Sequence, residues 1–307
     1  SLCGCSCKQN ITWNTSTCVC VGVRMPSYGN KWFGSSGGGA FYDYQIENSA
    51  RFDAEGGGTN TSTRLYRTFG TVTSQTTFTM SVWVKRSETY ENGGNTSSQA
   101  IMSKGSGVEG GGAQFGFESG GGTAGGLDNR DRIKFYGLKG TSGGTSGGDD
   151  RIEGQWRDTT GWYHLVVRVN TGESTAADKV RYYVNGDLKE RVSTNALNGN
   201  LDNFHTSTDV HNIGANSNAY YAFDGYMAEF IYADGQSYAP TQFGESKNGV
   251  WKPIDPSGTT FGNEGFHLKF QDSSDLGNDS SGNNNDWTSA NFSADHQTID
   301  TPTNGTG

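Results

Sequence analysis

The chain is short of proline, of charge and of apolar residues. Of its 307 residues only 5 are Pro, 18% are charged and 32% are hydrophobic. No basic run is longer than Lys85-Arg86, and the formal net charge is -9. The clustered cations that a phosphate backbone demands are therefore missing, and nucleic acid is not an expected partner. No apolar stretch approaches the ~20 residues of a membrane-crossing helix, so membrane insertion is not expected either. Helical periodicity is nearly absent; residues 239–246 (APTQFGES) offer one short turn at most. The 5 His are scattered, with no H-E-x-x-H pattern to gather a metal. The chain opens at Ser1 with neither an initiator Met nor a signal-peptide pattern, from which a processed or trimmed product is expected.

What is present is glycine, 47 residues of it, together with many Ser, Thr and Asn. A chain this polar needs a thin core and many turns, which a two-layer β-sandwich provides. Aromatic residues reach 12%, too many for a disordered chain. Period-2 alternation is the dominant pattern. In TTFTMSVWVKR, Phe78, Met80, Val82 and Val84 share one face and Thr77, Thr79, Ser81 and Trp83 the other, which predicts a strand with one exposed or groove-facing side. WYHLVVRVN sets Tyr163, Leu165, Val167 and Val169 against Trp162, His164, Val166 and Arg168. Asn185-Gly186 separates two strand-like runs and predicts a type I′ hairpin. FDGYMAEFIYADG and GFHLKF are further strands. Gly-rich stretches between them read as long loops.

All five Cys fall within residues 3 to 20, as C-x-C-x-C and C-x-C. A hairpin turning near Thr12-Trp13 would oppose Cys7 to Cys18 and Cys5 to Cys20, allowing two disulfides and leaving Cys3 for an intermolecular bond. A thiolate metal site and free thiols are the alternatives, although C-x-C fits zinc less well than C-x2-C.

The stretch FDGYMAEFIYADGQSYAPTQFGESKNGVWKP, followed by FGNEGFHLKFQDSSDLGNDSSGNNNDWTSANFSADHQTIDTPT, carries a family resemblance. With SVWVKRS, WYHLVVRVNT and YYVNGD in the same order, it resembles the laminin-G/concanavalin-A-like domains, in the variant found in marine bacteriophage tail and virion proteins. The resemblance covers roughly residues 30 to 303. It implies an all-β jelly-roll sandwich over residues 25–307, with a short Cys-rich N-terminal arm, residues 1–24, outside it. The strand of residues 265–270 and the Asp/Asn-rich loop of residues 271–287 are expected to close that sandwich.

The resemblance also frames the candidate chemistry. Glycosidases on this sandwich place paired carboxylates as E-x-D-x-x-E, and that string does not occur here. Glu229 stands where the family usually has an acidic residue and reads as structural; alternation puts it and Asp224 on opposite faces. No enzyme is expected. Laminin-G-like domains often bind Ca²⁺, and Asp272, Asp275, Asp279, Asn283 and Asp286 supply closely spaced oxygens of the kind that ion prefers. The same residues are also ordinary turn formers. Carbohydrate binding is the family's common activity, for which Trp83, Trp156, Trp162, Tyr220 and Tyr221 are the candidate aromatic faces; a core or interface use is the alternative. The implied role is a virion structural or adhesion subunit (tail, fibre or surface) that binds cell-surface glycans and assembles with itself and other virion proteins. A secreted extracellular fibre cross-linked through the N-terminal cysteines is the competing reading. Either places the chain at a virion surface or outside the cell.

Overall fold

The alternating segments become the centre of the first sheet. Thr77–Arg86 pairs with Tyr163–Asn170 on one side and Gly225–Asp234 on the other. Beyond Tyr163–Asn170 lie Val180–Val184 and Asp187–Lys189; beyond Gly225–Asp234 lie Ser49–Phe52 and Gln297–Thr298. Phe266–Leu268 also pairs with Gly225–Asp234, so the GFHLKF strand joins this sheet. The structure is a computed structural model that describes residues 41–54, 61–89, 98–105, 112–119, 123–124, 127–138, 150–193, 204–205 and 209–303. The arm of residues 1–24 and the expected cysteine pairings lie outside them.

The second sheet runs Arg191–Ser193, Asp150–Ile152, Ile133–Tyr136, Ala113–Phe117, Gln99–Lys104, Val210–Ile213, Arg64–Thr68 and Thr288–Ala290. Every pairing between described strands is antiparallel. Among the described residues, helix is confined to three short 3₁₀ turns, one of them Pro240–Gln242 within the predicted APTQFGES segment. The chain is thus an all-β sandwich, as expected.

One hydrophobic core fills the space between the sheets. Phe78, Met80, Val82 and Val84 meet Leu165, Val167 and Val169 from the first sheet, with Phe115, Phe117, Ile133 and Phe135 from the second. Each such side chain, fully buried, contributes roughly 1.5–3 kcal/mol by leaving water. A charged clasp crosses the same space. Arg86, 2% exposed, pairs with the fully buried Asp131 at 3.0 Å, donates to the Gln99 side chain and the Trp156 carbonyl, and lies 4.3 Å from the Phe117 ring centroid.

The outer face of Thr77–Arg86 departs from expectation. Thr79, Ser81 and Trp83 are buried rather than exposed. The reason is non-local. Phe243, with Tyr238 and Phe261, packs onto Val166, Tyr183 and Ile231, while Tyr44, Ile46 and Trp251 pack around Trp83. The sheet is therefore buried on both faces along most of its length.

The Asn185-Gly186 turn forms as predicted, with φ of 50° and 82°. Asn185 also accepts a hydrogen bond from the His164 amide at 2.8 Å. Gly186 has a second constraint: a Cβ there would lie 2.4 Å from the Trp251 ring. Asn185→Ala should cost about 1–2 kcal/mol, combining the left-handed backbone penalty with the lost hydrogen bond. A urea midpoint unchanged from the parent protein would contradict this account.

Candidate functional site

On the outer face of the first sheet a half-buried aromatic platform adjoins the Trp83 cluster, against which Trp162 packs. Tyr226 stands opposite both Arg51 and Lys85 across the strands. Trp162, immediately before the strand Tyr163–Asn170, places its ring 6.4 Å from that of Tyr226, and both rings are half-buried. Asp300 fixes the arrangement: one carboxylate oxygen accepts the Trp162 indole N–H at 3.2 Å and the other pairs with Lys85 at 2.8 Å. The Lys85 ammonium lies 5.8 Å from the Tyr226 ring centroid. Two partly exposed π faces beside a charged pair suit a ligand with C–H faces and hydroxyl edges.

The other aromatic candidates are placed differently. Trp83 is only 4% exposed and stacks on His164 at 4.6 Å, so it has no face for a sugar. Trp156 is half-buried, edge-on to Tyr163 at 5.5 Å, and its carbonyl serves Arg86. Tyr220, 48% exposed, and the half-buried Tyr221 sit on the loop before Gly225–Asp234. Asn216 builds that loop by accepting hydrogen bonds from the amides of Asn218 and Tyr220. Of the five aromatics only Trp162 joins the platform. Its partners Tyr226, Lys85 and Asp300 escape sequence reasoning: the first two are simply outward positions on predicted strands, and Asp300 has no local signature.

Beneath the covering segment lies a buried polar layer. His164 Nε2 is 2.8 Å from Ser81 Oγ, and the Trp251 indole N–H donates to His164 Nδ1 at 2.9 Å. An indole nitrogen only donates, so Nδ1 is the acceptor and Nε2 carries the proton. Nε2 must then donate to Ser81, the reverse of what a base activating a serine requires. Burial pushes the His164 pKa down to about 3. A void of about 10 Å³ beside these groups has room for a single water.

Glu229 stands at the rim of the same void. Between Ala228 and Ile231 the register slips past Thr77–Arg86, and Glu229 takes a φ of 48°. This β-bulge breaks the alternation on which opposite faces for Asp224 and Glu229 were expected. The Glu229 carboxylate accepts from the Tyr44 hydroxyl at 3.0 Å and lies 2.7 Å from His267 Nε2. Burial, then the Glu229 charge, raises the Tyr44 pKa well above its usual value. Both carboxylate oxygens are thereby engaged in tying three segments together.

The acidic loop spends its side chains on turns. Asp272 accepts from the amide and hydroxyl of Ser274, and Asp275 from the Gly277 amide. Asp279 takes four hydrogen bonds: the amides of His267, Ser281 and Asn285, and the Ser281 hydroxyl. Asp286 accepts from the Asp279 amide, and Asn283 donates to the carbonyls of Gly262 and Gly265. Among the described residues no three acidic, His or Cys side chains converge as a metal-binding group.

Residues 56–234, more than half the chain, match the laminin-G type of the concanavalin A-like lectin/glucanases superfamily. The chain belongs to that superfamily. A search of curated proteins finds no match. Among solved structures, similarity extends to the native heptameric SAP-like pentraxin from Limulus polyphemus, at 10% identity and a TM-score of 0.41, covering 64% of this chain and 81% of that one. It extends also to the CBM40 of the Ruminococcus gnavus IT-sialidase bound to alpha2,3 sialyllactose, at 13% identity and a TM-score of 0.33, covering 50% and 75%. Tailspike protein 2 from Escherichia coli O157:H7 bacteriophage CAB120 is similar at 13% identity and a TM-score of 0.37, covering 61% of this chain and 22% of that one. At these values none carries a ligand or partner over to this superfamily member.

Proposed function

We propose that the chain is a non-enzymatic adhesion subunit, displayed on a virion surface or outside the cell, that holds glycans on the Trp162–Tyr226 platform and assembles with further copies of itself. The observation that carries this reading is the platform itself: two half-buried rings held in place by Asp300 and Lys85 on a lectin-type sandwich. Binding rather than hydrolysis is favoured by the Ser81–His164 pair, whose protons run the wrong way, and by the engagement of Glu229 with Tyr44 and His267.

A glycan array followed by calorimetry on the best ligand tests it. Trp162→Ala should weaken that ligand by about tenfold, or ~1.4 kcal/mol, with the fold intact by circular dichroism. Array binding that is indifferent to Trp162→Ala and Tyr226→Ala would refute the platform.

A further inference from the structure

The first sheet ends at Asp187–Lys189, which among the described strands pairs with Val180–Val184 alone. Asn185 and Gly186 form a two-residue turn, so Val184 and Asp187 close it as a hydrogen-bonded pair. Tyr183 and Leu188 are then the non-hydrogen-bonded pair that follows. In that position the N–H and C=O of Leu188 point away from Val180–Val184 and form the outward edge of the sheet. The Leu188 side chain is 57% exposed. It lies on the same face as Tyr183, which packs with Phe243 outside the core. Asp187 and Lys189 flank it, with 80% and 22% of their side chains exposed and an approach of only 3.9 Å between them.

The other strands that end the two sheets differ. Gln297–Thr298 and Thr288–Ala290 hold no charged residue, and Arg191 of Arg191–Ser193 is committed to the buried Asp150 at 2.6 Å. Exposed edges ordinarily deter pairing with like charges, Pro or bulges. Asp187-Leu188-Lys189 does the reverse, because it is its own antiparallel complement. A two-fold axis through Leu188 places a second Leu188 opposite, joined through the backbone hydrogen bonds that such opposed residues exchange. The same axis sets Asp187 against the second copy's Lys189, and Lys189 against its Asp187. These are non-hydrogen-bonded positions, in which opposed side chains come closest and opposite charges stabilise. Pairing ends one step further on, since the Glu190 carbonyl already accepts from the Glu153 amide.

We propose that Asp187–Lys189 is a self-association edge, on which a second copy of this chain pairs antiparallel and joins the two first sheets across a two-fold axis. Charge complementarity selects the occupant: the strand that satisfies Asp187 and Lys189 together, in register with Leu188, is this strand again. The proposal rests on the self-assembly in the function proposed above and supplies its surface. It uses no residue of the platform.

Sedimentation equilibrium of the full chain, under reductant so that no cysteine contributes, tests the proposal. A contact this small predicts a reversible dimer in the micromolar range. Asp187→Lys sets lysine against lysine and Lys189→Asp sets aspartate against aspartate. Each should weaken the dimer by about tenfold, with the fold intact by circular dichroism. An equimolar mixture of the two variants should recover the parent affinity, because each chain then meets its opposite in both places. Trp162→Ala should leave the dimer unchanged. Association that neither variant weakens, or a mixture no tighter than the variants alone, would overturn this edge while sparing self-assembly. A chain that stays monomeric at every concentration would overturn both.

Discussion

Acidification from pH 7 to pH 4 is expected to remove most of the folding stability, and two buried histidines are the reason. His164 and His211 are fully buried and neutral. Burial pushes their pKa values from 6.5 down to about 3 and about 4 respectively. In the unfolded chain both groups take up protons as pH falls below 6.5, whereas in the folded chain they do not. The unfolded state therefore binds more protons throughout the window from 6.5 down to the folded values, and stability must fall with pH there, by up to ~1.4 kcal/mol per unit for each group. By pH 4 the pair costs roughly 6 kcal/mol, comparable with the whole stability of many domains. The geometry agrees with the direction. A second proton on His164 would have to sit on Nδ1, facing the Trp251 N–H. His211 already uses Nε2 on the Phe204 carbonyl, and its ring is stacked on Phe69 at 3.9 Å. Urea midpoints measured at each half-unit between pH 7 and 4 should show the slope, and His164→Gln combined with His211→Gln should flatten it. A midpoint constant over that range would remove the argument.

Asp131→Ala should be the most damaging single substitution in the clasp between the sheets. It strips the carboxylate from Arg86, whose guanidinium is 2% exposed and is pushed below its ordinary pKa by burial, with Asp131 opposing that shift. Removing one member of a buried pair leaves an uncompensated charge, at a cost of about 3–5 kcal/mol. Asp131 also holds a φ of 60°, which Ala tolerates poorly. Asp131→Asn separates the two effects, since Asn accepts that backbone geometry and loses only the charge. The Ala variant should melt about 10 °C lower, and the Asn variant should fall between it and the parent. A loss below ~1 kcal/mol for Asp131→Ala would show that Gln99 and the Trp156 carbonyl suffice for Arg86.

The sheets were legible where local rules decide. Alternation named the core faces of Thr77–Arg86 and Tyr163–Asn170 correctly, and Asn185-Gly186 gave its turn because few other residue pairs accept two positive φ angles. What escaped was non-local. Nothing around Trp83 announces that Tyr44, Ile46 and Trp251, each remote in sequence, will cover it. The bulge at Glu229 adds one residue to a strand without changing its composition, so the slip in register is invisible until Ala228 and Ile231 are paired. The acidic loop shows a different limit: turns and calcium call for the same residues, so the four hydrogen bonds that Asp279 accepts could not be read from its composition.

Ile46 and Thr303 lie 257 positions apart yet are bonded through both the Ile46 amide and its carbonyl, and Ser49 meets Thr298 close by. The polypeptide thus enters and leaves the sandwich at nearly one point. Tension applied through the flanking chain would load the two-residue pairing of Ser49–Phe52 with Gln297–Thr298 first, peeling it open rather than shearing the long central strands. Force drawn through Ile46 and Thr303 would therefore meet a zipper of two residue pairs before it reached the long central strands.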